Sequence, residues 1–147
     1  CFYSKEATHL VADLNGWFPA DGGLGVVEPT RLFDTRPSEP QGAVTVEKQT
    51  VGGDQVLRVK VTGVAGVPAS GVGAVSLNVT AVDPAGPGYV TVYPCVDERP
   101  VVSSVNYTGP GAFPNAVVAP VSDDGEVCFY SKEATHLVAD LNGWFAD

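Results

Sequence analysis

The chain has 147 residues, 44% of them hydrophobic, with 17 Gly, 12 Pro and no Met. That is enough apolar material for one core of ordinary domain size and too much for a disordered polymer. The formal net charge of −9 repels phosphate backbones and excludes nucleic acid as an expected partner, and no apolar run approaches the ~20 residues of a membrane-spanning helix.

In chain order, the first feature is CFYSKEATHLVADLNGWF at 1–18, which returns without a substitution at 128–145. Self-similarity at a fixed offset marks a repeat array. An offset of this size makes each unit a whole domain rather than a solenoid turn. Position 1 opens inside a strand-like pattern instead of a signal peptide, as in a mature, processed or excised piece.

RLFDTRP at 31–37 is the most unusual polar cluster, with Arg31, Asp34 and Arg36 around a Leu-Phe pair. It reads either as an anion or sugar-acid site or, preferably, as an Arg–carboxylate network anchoring the start of the domain. Residues 43–49 and 55–62 alternate as two strands, with GGD at 52–54 as their hairpin turn. GVAGVPASGVG at 63–73 is a loop. Residues 74–82 alternate with period 2, DPAGPG at 83–88 turns the chain, and 89–93 returns as the partner. Residues 101–107 and 115–121 form another pair. SDDG at 122–125 turns into a strand at 126–131, and 136–145 is the last strand. KEATHLVADL lacks helical periodicity. Eight to ten short strands at this spacing predict an all-β antiparallel sandwich, Ig-like or jelly-roll-like.

Three cysteines are present, Cys1, Cys95 and Cys128. Cys1 and Cys128 are one position in two copies, so each repeat holds an even pair. The expected bridge is Cys95–Cys128, with Cys1 bonded to a Cys95-equivalent of a neighbouring repeat. The alternative is three reduced, buried thiols, as in the cytosol.

No catalytic constellation is visible. His9 and His136 are again one position copied, and a triad of His136, Asp140 and a Ser lacks a nucleophile elbow. There is no H-E-x-x-H or C-x-x-C. Asp123 and Asp124 beside Gly125, and Asp97 beside Glu98, suit turn-shaping better than the six to eight oxygens calcium takes. No metal site and no cofactor are expected. Asn78, Asn106, Asn115 and Asn142 lie in or beside strands, where Asn serves stray backbone groups; NVT and NYT are also glycosylation sequons. Trp17, Phe18, Trp144 and Phe145 end the repeated segment. Exposed, they make a sugar-stacking platform; buried, the preferred reading, they close one end of the core or a joint between repeats.

The motifs RLFDTRP, GVAGVPASGVGAVSLNVTAV, GYVTVYPC, RPVVSSVNY, FPNAVVAPVSDDGEVCFYS and THLVADLNGWF, in this order, resemble a family of uncharacterised all-β modules. These occur, often in tandem, in secreted proteins of actinobacteria and other Gram-positive bacteria, some beside hydrolase domains. The resemblance covers about 30–145 and implies an extracellular module without catalytic residues of its own. The expected organisation is 1–18 as the closing segment of a preceding repeat or a donated strand, 19–29 as linker, and 30–147 as the sandwich. The expected function is a non-catalytic structural repeat of an extracellular fibre, filament or cell-surface stalk, its partners being copies of itself stacked head to tail. The alternative is a carbohydrate- or cell-wall-binding module using Trp144 or the Arg31/Asp34/Arg36 cluster.

Overall fold

The computed structural model describes residues 2–7, 9, 17–19 and 22–147. Its strands are β1 Leu24–Asp34, β2 Gln55–Lys60, β3 Val72–Val82, β4 Gly88–Pro94, β5 Val105–Tyr107, β6 Ala112–Pro120, β7 Glu126–Ser131 and β8 His136–Ala146. The described residues include no helix. Two four-stranded antiparallel sheets form, in the orders β1-β8-β3-β6 and β2-β7-β4-β5. The first strand pairs with the eighth, the second with the seventh, the third with the sixth and the fourth with the fifth. This is a long hairpin folded at its middle and wound into a barrel-like sandwich, the strand order of a jelly roll.

Period-2 patterning sets which side of each strand faces the core. On β3, Val75, Leu77, Val79 and Ala81 are fully buried while Ser76, Asn78 and Thr80 alternate with them on the outside. Across the core, the Phe33 ring of β1 meets the Phe129 ring of β7 edge-on at 5.0 Å. Gly25 lies under the indole of Trp144, where a Cβ would come within 2.1 Å of the ring. Gly125 combines φ +75° with a spot where a Cβ would sit 2.0 Å from Thr62 Oγ1, so the turn into β7 needs glycine twice over.

Several pairings differ from those the sequence suggests. Residues 43–49 are not a strand, and GGD does not join two partners. That segment is a strap: Ala43 and Val44 donate their N–H groups to the carbonyls of Arg31 and Leu32, and Val44 and Val46 pack on the core. The partner of β2 is β7. Likewise β3 and β4, and β5 and β6, lie in opposite sheets. Alternation shows which face is buried but not which strand lies alongside, and jelly-roll winding sends chain neighbours to facing sheets. β1 begins at Leu24, inside the stretch read as linker. Its register shifts between Val26 and Thr30, around Pro29, which cannot donate to a ladder.

The two copies of the repeated segment have different fates. Residues 128–145 supply most of β7 and β8, which are flanked on both sides in their sheets. The described residues of the first copy form no strand. Phe2 and Tyr3 are 81% and 90% exposed, whereas their equivalents Phe129 and Tyr130 are 0% and 6% exposed. Local propensity is identical, so tertiary partners decide the difference.

The chain enters and leaves the sandwich at one pole. Leu24 lies directly opposite Phe145, and Ala146 N–H donates to the Gly23 carbonyl at 3.2 Å.

Candidate functional site

The polar cluster of RLFDTRP is built by a break in register between Arg31 and Phe33, which lets Leu32 and Phe33 both enter the core. Asp34 follows, its carboxylate fully buried at the end of β1. It accepts hydrogen bonds from Arg31 Nη1 at 2.6 Å, Arg36 Nη2 at 2.6 Å, Arg36 Nε at 3.0 Å and the Arg36 backbone N–H at 3.0 Å. Arg31 also reaches Asp140 on β8, and Arg36 lies 3.9 Å from Glu39. Lys48 Nζ donates to the carbonyls of Asp34 and Pro40, pinning the strap.

Burial pushes the Asp34 carboxyl up, but the hydrogen bonds and charge of Arg36, with the charge of Arg31, outweigh it and hold the group below its ordinary value. Arg36 is raised chiefly by its hydrogen bond to Asp34. Each guanidinium is thus committed to carboxylates of the same chain. The recess beside them, about 220 Å³ and lined by Arg31, Arg36, Thr80, Val138 and Asp140 among others, offers an anion no unspent positive charge. The cluster is an anchor tying β1 to β8 and to the strap.

His136 Nδ1 meets Thr35 Oγ1 at 3.3 Å, while Asp140 is held by Arg31; no relay joins them. Among the described residues no group of three or more His, Cys, Asp or Glu converges as metal ligands. Asp123 and Asp124 are exposed in a turn closed by Gly125 N–H to the Ser122 carbonyl. Asn115 Nδ2 donates to the Ser104 carbonyl, Asn106 accepts from Ser103, Asn78 lies opposite Asp140 on the outer face, and Asn142 is exposed at a break in register on β8.

The outer face of β4 and β7 carries the expected Cys95–Cys128 bridge, set in an aromatic cluster that the motifs do not show. Cys95 and Cys128 are disulfide-bonded, with a Cα–Cα distance of 5.0 Å. Around the bridge Tyr93 and Tyr130 are buried, and Tyr89 packs beside them. Arg99 stacks 3.8 Å over the Tyr130 ring. The Tyr130 hydroxyl donates to Asp54, a bond that, with burial, pushes the phenol up to about 12. Thr91 Oγ1 donates to the Val102 carbonyl at 2.6 Å, and Val92 N–H to Ser104 Oγ at 3.0 Å. The loop 95–104 is thereby folded down as a flap. The signal lay in spacing: Tyr93/Cys95 and Cys128/Tyr130 are each two apart, which puts each pair on one strand face.

The aromatic ends of the repeated segment separate. Trp144 is half-buried and packs on the core. Phe145 lies on the outer face, opposite Ala74 and Leu24, where the Phe18 ring meets it edge-on at 5.8 Å. Trp17 and Phe18 are 79% and 60% exposed. A cavity of about 330 Å³ opens at this same pole between Lys60, Thr62, Ser70, Asp123 and Asp147. Cys1 lies outside the described residues. No helix among the described residues is long and apolar enough to cross a membrane. The chain matches no model of a known protein family and no curated protein.

Proposed function

We propose that this protein is a non-catalytic structural repeat of an extracellular fibre, filament or cell-surface stalk, with copies of itself as its partners. One observation carries the reading: an eighteen-residue segment that supplies most of β7 and β8 at one end of the chain recurs, letter for letter, where its described residues form no strand. In this reading the first copy closes a preceding sandwich. In the same reading the units stack head to tail, with 19–23 as the connection from one unit to the next. The disulfide supports an oxidising compartment. The internally neutralised Asp34 cluster and the packing of Trp144 on the core weaken the alternative of a glycan-binding module.

Electron microscopy of native material tests the proposal. Regularly spaced sandwich-sized units in long filaments are expected. Isolated particles, together with saturable cell-wall glycan binding that Trp144→Ala abolishes, would overturn it in favour of the binding module.

A further inference from the structure

The sandwich has one slot for β7 and β8, between β2 and β4 in one sheet and between β1 and β3 in the other. The chain carries two segments of identical sequence for it. The second copy reaches the slot from β6 through a five-residue loop, 121–125, with Glu126 and Val127 of β7 ahead of the shared stretch. Residues 1–18 precede β1 by an equal five, 19–23. The end of β8 and the start of β1 are already directly opposed, Phe145 against Leu24. If Phe18 took the place of Phe145, residues 19–23 would form an ordinary hairpin loop between antiparallel neighbours. That loop, PADGG, has turn composition. Gly22 N–H already donates to the Pro19 carbonyl at 2.9 Å, and Gly23 holds φ +78°. Phe18 already stands at the corner of the slot, on Phe145.

We infer that residues 1–18 are a second closing segment for this same sandwich, able to occupy the places of residues 128–145 as a circularly rearranged version of the fold. Strand ends that meet at the surface, as Leu24 of β1 and Phe145 of β8 do, make such rearrangement geometrically cheap. The contacts that 128–145 make with β1 to β6 are open to the first copy, because the residues are the same. The tie is broken by what lies ahead of the shared stretch: Glu126 and Val127 extend β7 in the second copy, with Val127 fully buried. The second copy therefore holds the slot while it is intact. When the first copy takes over, Cys1 arrives beside Cys95. With Cys1 reduced, its thiolate attacks Cys95 Sγ, the Cys1–Cys95 bond forms, and Cys128 leaves as thiolate, with no external oxidant. This inference rests on the identity of the two segments and stands whether or not the protein builds a fibre.

The test uses the full chain. Phe129→Asp places a charge in the core position that meets Phe33, and Phe2→Asp alters the equivalent, exposed position of the first copy. Phe2→Asp alone is expected to melt like the parent. Phe129→Asp alone is expected to stay folded at a lower melting temperature, with peptide mapping now finding Cys95 bonded to Cys1. The double variant is expected to be unfolded. A Phe129→Asp chain that unfolds, or that stays folded with Cys95 still on Cys128, overturns the inference.

Discussion

Asp34 shows how a residue legible in sequence takes its meaning from contacts that are not. RLFDTRP announces a charged anchor, but Asp140, the second carboxylate that Arg31 binds, lies 109 positions beyond Arg31 and no local pattern points to it. Asp34→Ala removes the buried centre of the cluster. The expected loss is about 2–3 kcal/mol by denaturant unfolding, below the ~3–5 kcal/mol typical of a broken buried pair, because Arg31 and Arg36 can turn toward water. The pH dependence has a definite sign. The folded carboxyl titrates below its ordinary value. Its contribution is therefore complete above the unfolded value of ~3.9 and is lost as pH falls through the folded value. Denaturation midpoints measured from neutral pH downward should fall in that acid window, and less steeply in Asp34→Ala. At Gly125, Ala substitution meets both a left-handed backbone and the Thr62 hydroxyl. A loss of more than ~1 kcal/mol is expected, with the turn at 122–125 showing faster amide exchange.

At the level of elements, the strands were legible and their pairing was not. Residues 126–131 and 136–145 were readable because alternating apolar residues are bounded by turn chemistry. Residues 43–49 misled because a strap packing Val44 and Val46 inward has the same alternation as a strand. The pairing of β3 with β6 and β8, rather than with β4, follows from winding across the core, which leaves no mark on local sequence. The disulfide was accessible from repeat counting, the flap it holds was not. Cys95 and Cys128 are separated by 33 positions, a loop whose closure entropy gives about 3–4 kcal/mol. Cys95→Ser should lower stability by roughly this amount and raise amide exchange in 95–104. A melting curve indifferent to reducing agent would contradict that role.

For the molecule as a whole, the proposed repeat has a defined unit, the eight strands of one jelly roll. Placing a further copy of residues 19–127 ahead of Cys1 supplies the six strands that the first segment lacks. Such a chain should bury Phe2 and Tyr3, bond Cys1 to the added Cys95, and melt with about twice the enthalpy, since unfolding enthalpy scales with the number of folded residues. An unchanged enthalpy with Cys1 still reactive toward thiol reagents would show that the first segment is not part of a repeat.

The shared pole of Leu24 and Phe145 has a mechanical consequence. If units are pulled through the chain on either side, tension enters at adjacent ends of two antiparallel neighbours. Their ladder is then loaded one rung at a time, as in opening a zip, rather than sheared all at once. β1 should peel from β8 at low force. The extension of each unit should then stop short of full length, because the Cys95–Cys128 bond locks the intervening chain out of the stretch. Single-molecule pulling with and without reductant should show two contour lengths, the longer one only after reduction. A string of such units would yield early and lengthen in measured steps, which suits a tether that gives before it breaks.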